Sequence, residues 1–192
     1  MTLPVLMAKY NRMVTANRLS KVYSTVSNGI KLSENDNGPM MYWPTGSEMQ
    51  MDNYWNTYWK PYFVGAELCE NTRACGYPKS FDNQKWIGEA NWSIITNSTR
   101  ILFRIADGSI IFIPRNTQTI EGTPIYVNLV AIDINGPKLP NESGRDVFIF
   151  TRNEQGGIMP RSGGDCYQSP VYCAELIMQN SWKIPEDYPW IK

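Results

Sequence analysis

Residues 1–33, MTLPVLMAKYNRMVTANRLSKVYSTVSNGIKLS, decide how this chain folds. Large apolar side chains recur along this stretch, mostly at steps of three or four residues, which is the spacing of one face of an α-helix. The members of this stripe are Leu6, Tyr10, Met13, Leu19, Val22, Val26 and Ile30. Because the polar, turn-rich residues 33–44 follow, we expect the helix to end between Leu32 and Asp36.

The same stretch is basic, and the rest of the chain is acidic. Residues 1–33 contain five cationic side chains and no acidic one, and the remaining 159 residues contain 13 basic and 18 acidic groups. The cations are Lys9, Arg12, Arg18, Lys21 and Lys31. Such a helix could bind nucleic acid or an anionic membrane surface. However, its cations alternate with an apolar stripe that needs burial, and no basic patch recurs later, so we expect a docking arm and no nucleic-acid partner.

Composition bounds the class of protein. With 192 residues, 42% of them apolar, the chain can bury a real core, which predicts a globular domain over residues 34–192 with the helix of residues 1–33 as its arm. No run of eighteen apolar residues occurs, so no segment is expected to span a bilayer unaided. Histidine is absent, which excludes His-dependent triads and most zinc sites. No nucleophile, base or cofactor loop can be assembled from spacing, so we expect a protein that is not an enzyme.

The middle of the chain has the composition of β-strands. Four β-rich runs occupy residues 100–105, 109–114, 124–134 and 147–152, and a weaker one occupies residues 92–96. Asp107-Gly108 joins the first two runs and predicts a two-residue hairpin, whose central residues both need positive φ. A helix followed by strands without alternation predicts an α+β fold. We expect an antiparallel sheet of about four to five strands, with the apolar stripe of the helix across one face.

An aromatic band lies between the helix and these strands, in residues 42–63. Ser47 and Gln50 form a candidate capping box that opens a short helix. Trp55 and Trp59 are four residues apart within it, so their rings share one face. Packing on the sheet is the favoured interpretation, because large rings dominate burial energetics. The alternative is a glycan-binding or partner-binding platform built on Trp55 and Trp59.

The four cysteines form two local pairs. Cys69 is close to Cys75, and Cys166 is close to Cys173, in segments rich in Gly, Pro, Ser, Asn and Tyr. Local pairing is one of the three ways in which four cysteines can pair. Two local disulfides are favoured over a four-cysteine metal site, because the spacing exceeds the two to four intervening residues of structural zinc knuckles. Disulfides indicate an oxidising compartment.

One loop gathers oxygen-bearing side chains. Asp133, Asn135, Asn141 and Asp146 lie within fourteen residues, and an oxygen-only cluster of this kind suits Ca²⁺. The spacing is not that of an EF-hand, since Gly144 stands where the bidentate glutamate belongs. The competing and favoured interpretation is that these side chains bond their own backbone and hold turns. We therefore expect no cofactor and retain the loop as a candidate calcium site.

Three stretches carry a resemblance to a known family. Residues 2–6, TLPVL, lead into a basic amphipathic helix that ends in KLSENDNGP at residues 31–39. Residues 133–150, DINGPKLPNESGRDVFIF, contain an Asp-x-Asn-Gly, Pro-Asn, Gly-x-Asp-x-Phe pattern. Residues 173–190, CAELIMQNSWKIPEDYPW, form a distinctive tail. Together they resemble type IV pilin-like proteins and the pseudopilins of type II secretion systems.

The resemblance implies a protein that is made as a membrane-inserted precursor. Its parent would be anchored in the inner membrane, cut by a prepilin peptidase, and assembled into a filament at the cell surface or in the periplasm with identical or related pilin subunits. This chain lacks the processing site and most of the apolar half of the helix. We therefore expect contact with the membrane only in the full-length parent, and expect this chain to be soluble.

These observations predict a structural filament subunit that assembles through its N-terminal helix. The residues expected to make assembly contacts are Leu3, Leu6, Tyr10, Met13 and Val14, whereas Leu19, Val22, Val26 and Ile30 are expected to pack on the sheet. The alternative function is a secreted glycan-binding or adhesin module that uses the aromatic residues of 42–63.

Overall fold

A single long helix opens the fold. In the computed structural model, helix α1 comprises Leu3–Asn37, 35 residues. It ends where Gly38 takes a φ of +76°, a conformation that glycine adopts without steric cost, and the Gly38 N–H donates to the carbonyl oxygen of Glu34 at 2.9 Å. The predicted helix is confirmed, and its end lies one residue beyond the expected range.

The structure describes residues 3–44, 49–78, 101–113, 117–120, 123–126, 129–153 and 155–191. Within these ranges two shorter α-helices follow α1: α2 (Met51–Tyr58) and α3 (Cys173–Gln179). The strands are β1 (Glu67–Leu68), β2 (Ile101–Arg104), β3 (Ile110–Ile113), β4 (Thr117–Ile120), β5 (Thr123–Tyr126), β6 (Leu129–Asp133), β7 (Val147–Arg152) and β8 (Ile158–Pro160). Of the helices in these described ranges, none combines the length and the apolar character needed to cross a membrane.

The strands form an antiparallel sheet of six, in the order β1-β2-β3-β6-β7-β8, and a separate β4-β5 hairpin. The predicted α+β class is therefore confirmed, and the strand count exceeds the expected four to five. The run predicted over residues 124–134 is divided between β5 and β6. The weak run at residues 92–96 lies outside the described residues.

The β2-β3 hairpin is confirmed, but its turn is not the predicted two-residue type. The Gly108 N–H donates to the Ile105 carbonyl, and the Ile105 N–H donates to the Ser109 carbonyl, which leaves three residues in the loop. Gly108 has a φ of +90°, whereas Asp107 does not have positive φ. This is a type I turn followed by a left-handed glycine, and the Asp107 side chain supports it by accepting the Ser109 N–H at 3.0 Å.

Both faces of the six-stranded sheet are covered, and α1 covers one of them. Alternate strand residues point to each face, as the pleat requires. The face toward α1 and α2 presents Ile101, Phe103, Ile111, Ile113, Val130, Ile132, Phe148 and Phe150. Against it pack Leu19, Val22, Val26 and Ile30, all fully buried, as predicted. The opposite face presents Leu102, Ile110, Phe112, Ala131, Val147 and Ile149.

Helix α2 brings the aromatic band onto the same face as α1. The Trp55 and Trp59 rings lie 5.1 and 5.6 Å from the Phe103 ring, and both are buried. The packing interpretation of these two rings is therefore confirmed. The N-cap of α2 is Gln50, and it makes no side-chain capping hydrogen bond. Ser47, the other half of the predicted capping box, lies outside the described residues.

Both predicted disulfides are present. Cys69 is bonded to Cys75, and Cys166 is bonded to Cys173. Cys69 and Cys75 pack on the sheet face opposite α1, whereas Cys166 and Cys173 belong to the core on the α1 side. Each disulfide therefore ties a loop to one of the two cores.

Gly29 is the point of closest approach between α1 and the aromatic band, because a Cβ added there would overlap the buried Phe63 ring. We predict that Gly29→Ala lowers the free energy of unfolding by about 1–2 kcal/mol. The overlap costs about 1–3 kcal/mol, and the better helix propensity of alanine returns up to about 1 kcal/mol. Chemical denaturation measures the change. The exposed neighbour Asn28→Ala serves as the control and should change stability by less than about 0.5 kcal/mol. A Gly29→Ala protein as stable as the wild type would show that this contact is not tight.

Candidate functional site

The first part of α1 presents an apolar surface to solvent. Its large side chains, each between 52% and 71% exposed, are Leu3, Val5, Leu6, Met7, Tyr10 and Met13. Val14 is half-buried, Ala16 is buried, and from Leu19 onward one side of the helix packs against the sheet. Contiguous exposed apolar side chains of this kind mark interaction sites. We call residues 3–14 the exposed arm.

The arm and the buried part of α1 use opposite sides of the helix. Each residue turns the helix by about 100°, so the six-residue step from Met13 to Leu19 turns it by about 240°. The arm's Leu3, Leu6, Tyr10 and Met13 consequently lie roughly 180° from the side on which Leu19, Val22, Val26 and Ile30 face the sheet. The expectation of one continuous stripe along α1 is therefore wrong. The apolar side of the arm faces away from the globular domain.

The division between the two sets of residues falls where the sequence predicted it. Leu3, Leu6, Tyr10 and Met13, expected to make assembly contacts, are exposed, and Val14 lies at the boundary. The basic character of the arm is also intact at the surface, because Lys9 is exposed and Arg12 is half-buried. At about 100° per residue, Lys9 lies roughly 80° around the helix from the middle of the apolar side and Arg12 roughly 140°, so Lys9 borders that side and Arg12 does not.

The loop after β6 brings together all four of the oxygen-bearing side chains predicted from sequence. Asp133, Asn141 and Asp146 are buried, and Asn135 is half-buried. The Asn135 side-chain amide donates to Asp146 Oδ2 at 3.1 Å, and the Asn141 backbone N–H donates to the same oxygen at 2.9 Å. The other carboxylate oxygen of Asp146 accepts the Glu142 N–H at 2.6 Å. The loop is therefore closed on itself through Asp146.

Asn141 connects this closed loop to Asp133. With its amide oriented to satisfy its neighbours, the side-chain nitrogen donates to Asp133 Oδ2 at 3.1 Å and to the backbone carbonyls of Gly136 and Lys138 at 3.0 and 3.1 Å. Asp133 Oδ1 accepts the Asn135 N–H at 3.1 Å. Asn141 has a φ of +54°, which asparagine tolerates better than most residues. These are the turn contacts of the favoured sequence interpretation.

Tyr77 is a member of this network that the sequence analysis missed. Its buried hydroxyl donates a short hydrogen bond to Asp133 Oδ2. Its neighbourhood is fixed by Arg104, whose guanidinium donates to the Cys75 carbonyl at 2.7 Å. Tyr77 lies 56 residues before Asp133 and shares no motif with it, so no local pattern could have indicated the contact.

Burial dominates the electrostatics of the network. It raises the pKa of Asp133 well above the ordinary value of an aspartic acid; the nearby Asp146 raises it further, and the Tyr77 hydrogen bond opposes the rise. Burial also raises the pKa of Asp146, while the N–H groups of Glu142 and Asn141 oppose the rise. The pKa of the Tyr77 hydroxyl is raised by its burial and by the Asp133 charge. The loop therefore disfavours two simultaneous negative charges.

The hydrogen bonds bear directly on the candidate calcium site. The carboxylate oxygens of Asp133 and Asp146 accept protein donors, and in the part of the chain that the structure describes no group of three or more His, Cys, Asp or Glu side chains gathers in metal-binding geometry. To bind a cation here, the Asn141 amide would have to turn over so that its oxygen, rather than its nitrogen, faces Asp133 and the two carbonyls. The geometry favours a turn held by the protein alone.

The aromatic platform on Trp55 and Trp59 is not available at the surface. Trp59 has no exposed area, and Trp55 is 5% exposed. A sugar stacks on the open face of a ring, and neither ring has one, because both pack against Phe103. This candidate binding site is wrong for both residues.

The raised pKa of Asp133 predicts a pH dependence of stability. A carboxyl group whose pKa is higher in the folded than in the unfolded chain stabilises the fold fully below the unfolded value of about 3.9, and this contribution is lost as the pH rises toward the folded pKa. The stability of the wild type relative to Asp133→Asn should therefore fall as the pH is raised from 4 toward neutrality. Denaturant titrations over this range measure it. A relative stability that grows with pH would show that the carboxylate is stabilised in its ionised form.

A ligand that binds the folded protein raises its melting temperature. Because the carboxylate oxygens of the loop already accept hydrogen bonds from protein donors, we predict that calcium does not bind there and leaves the melting temperature unchanged. Thermal melting with excess calcium, and separately with a chelator, measures this. Asp146→Asn, melted under the same two conditions, is the control for calcium bound elsewhere on the surface. A calcium-dependent rise in the wild type that the variant loses would contradict the prediction and establish an ion in the loop.

Comparison with known proteins places this arrangement in a family. Residues 5–157 match the family model DUF6613, which is described as a family of unknown function. No curated protein and no solved structure gives a significant match. The matched span begins within the exposed arm and includes the whole of the Asp133 loop and strands β1 to β7. Since it covers most of the chain, the protein belongs to DUF6613, a family of unknown function.

Proposed function

We propose that this protein is a non-enzymatic structural subunit of a filament of the type IV pilus or type II secretion kind, and that it assembles with identical or related copies through α1. The observation that carries the proposal is the exposed arm, whose six large apolar side chains face solvent at the end of a helix otherwise anchored in the core. A helix that continues rigidly out of a domain can transmit a contact at its tip to that domain.

The direction of the apolar side supports assembly. It faces away from the sheet on which the rest of α1 packs, so a neighbour could cover it without displacing any part of the subunit's own core. Two apolar faces on one helix allow the subunit to fold alone and still associate. The folding face is buried within the chain, and the assembly face is left for a partner.

The energetics favour many weak contacts over one strong contact. Burying a large apolar side chain completely contributes about 1.5–3 kcal/mol, so covering the four half-exposed ones on the apolar side contributes roughly 3–6 kcal/mol. Association costs an estimated 4–15 kcal/mol in lost rigid-body freedom. A single arm contact is therefore marginal, whereas a filament, in which each copy meets several neighbours, adds such contacts together.

The two disulfides support a location outside the cytoplasm. Disulfides persist in oxidising compartments such as the periplasm and the cell surface. Both of them join loops to a core, so they stabilise the domain in the compartment in which a filament would be exposed. We accordingly place the working site of the protein at the cell surface or in the periplasm.

Charging the apolar side of the arm tests the proposal. We predict that Leu6→Glu weakens self-association of the chain at least tenfold and abolishes incorporation into filaments, because a carboxylate would be buried between copies. The melting temperature should not change, since Leu6 does not contact the core. Sedimentation over a range of concentrations measures association, and calorimetry measures melting.

The matched control for that experiment is Asn11→Glu. Asn11 is exposed on the arm, and it lies roughly 120° around the helix from the middle of the apolar side, so the same charge is added away from the proposed contact. Asn11→Glu should associate nearly as well as the wild type. Equal association of the wild type, Leu6→Glu and Asn11→Glu would refute assembly through the arm.

A further inference from the structure

A small groove lies between α1 and two turns of the globular domain. Its walls are Lys21 and Thr25 of α1, residues 62–64 and the β2-β3 turn, and its volume is about 280 Å³. Pockets for drug-sized ligands usually begin at about 300 Å³, so this groove suits a smaller molecule. At about 30 Å³ of liquid for each water, it holds roughly nine waters, or a compact ligand with a similar number of non-hydrogen atoms.

The floor of the groove is apolar. It is formed by the buried side chains of Phe63 and Ile105. Val64 stands at the rim and is 94% exposed. The Ala66 N–H donates to the Phe63 carbonyl at 3.0 Å, and Gly65 has a φ of +72°, so a closed turn holds Val64 outward. An apolar group of a ligand that lies on this floor leaves water and also covers Val64.

One cation and one anion line the groove, and they come from different elements. Lys21 belongs to α1 and Asp107 to the β2-β3 turn, and both are exposed. In the part of the chain that the structure describes, neither of them forms an ion pair, with the other or with a third group. Opposite charges that share a groove without neutralising each other are complementary to a ligand that carries both signs.

The carboxylate of Asp107 is held in place by its own turn. Its Oδ1 accepts the Ser109 N–H at 3.0 Å, and the Gly108 N–H closes the turn on the Ile105 carbonyl at 2.9 Å. Among the described residues no donor reaches Oδ2, so this oxygen is available to a ligand. A group that is fixed before binding loses little entropy when the ligand arrives. An ammonium group, which has three N–H donors, suits this oxygen.

The combination of these features selects the class of ligand. A carboxylate suits the ammonium group of Lys21, an ammonium group suits Asp107, and an apolar group suits the floor. A simple fatty acid or a simple amine supplies only one of the two charges, and so does either end of a peptide. An apolar α-amino acid supplies both charges on one carbon atom, and leucine, with about nine non-hydrogen atoms, has the size of the groove.

We propose that this groove binds a free apolar α-amino acid. The carboxylate of the ligand lies on Lys21, its ammonium group lies on Asp107, and its side chain lies on Phe63 and Ile105. Because the two charged side chains are exposed and the ligand is small, binding is weak, with a Kd of roughly 1 mM. The groove shares no residue with the exposed arm, so the inference does not depend on the proposed function.

Titration of the full chain with L-leucine, followed by NMR of the backbone amides, tests the assignment. Saturable shifts with one common Kd are expected at Lys21, Val64 and Asp107. Leucinamide lacks the carboxylate of the ligand, and 4-methylpentanoate lacks its ammonium group. Each should bind at least about threefold more weakly than leucine, because each loses one ion pair with an exposed partner.

Two variants identify the partner of each charge. In Lys21→Gln, leucine and leucinamide should bind equally, because the partner of the carboxylate is gone. In Asp107→Asn, which keeps an oxygen for the Ser109 N–H, leucine and 4-methylpentanoate should bind equally. Lys31→Gln removes an exposed cation of α1 outside the groove and should bind leucine as the wild type does. Amide spectra establish that each variant is folded.

Three results would overturn the assignment. The first is the absence of saturable shifts at leucine concentrations up to about fifty times the expected Kd. The second is equal binding of leucine, leucinamide and 4-methylpentanoate by the wild type, since the two charges would then play no part. The third is the same set of shifts on raising the protein concentration without leucine, since a second copy would then cover the groove. Assembly through the arm is tested separately by Leu6→Glu.

Discussion

The burial of one side of α1 against the sheet is the interaction on which the rest of the molecule depends. Leu19, Val22, Val26 and Ile30 are fully buried there, and four such side chains contribute roughly 6–12 kcal/mol at most. That is comparable with the entire stability of an ordinary domain. Glu34 reinforces the end of the same helix, because its carboxylate accepts the N–H groups of Met40 and Gly157 at 2.9–3.0 Å. Because the second half of α1 is fixed in this way and the helix is continuous, the first half extends beyond the contact with the sheet.

The sequence predicts those parts of the fold that arise from neighbours along the chain. The extent of α1, the β2-β3 hairpin and both disulfides follow from periodicity, turn residues and short cysteine spacing. The stripe also contains a six-residue step between Met13 and Leu19, and the division between its exposed and its buried members falls at this step. At about 100° per residue, the same step turns the helix by about 240° and moves the stripe to the other side of α1. The spacing of the residues alone does not reveal this change of side.

The parts that could not be predicted depend on residues distant in sequence. The hydroxyl of Tyr77 meets Asp133 only because the first disulfide loop covers the sheet face opposite α1. The Asp133 loop itself had two interpretations from the same residues, since oxygen atoms that suit calcium are also the atoms that accept backbone N–H groups. The choice between them depends on the orientation of one amide, that of Asn141, which no sequence pattern specifies. The role of the aromatic band likewise depends on a distant residue, because Trp55 and Trp59 pack against Phe103.

The central claim is that α1 carries two apolar faces on opposite sides, one folded against the sheet and one left for a partner. The most direct test is to add an inert, soluble paramagnetic probe to a dilute sample and to measure relaxation of the methyl groups along α1 by NMR. The account predicts strong relaxation at Leu3, Leu6 and Met13 and weak relaxation at Leu19, Val22, Val26 and Ile30. Weak relaxation along the whole helix in the monomer would contradict it, because the arm would then be covered by its own domain.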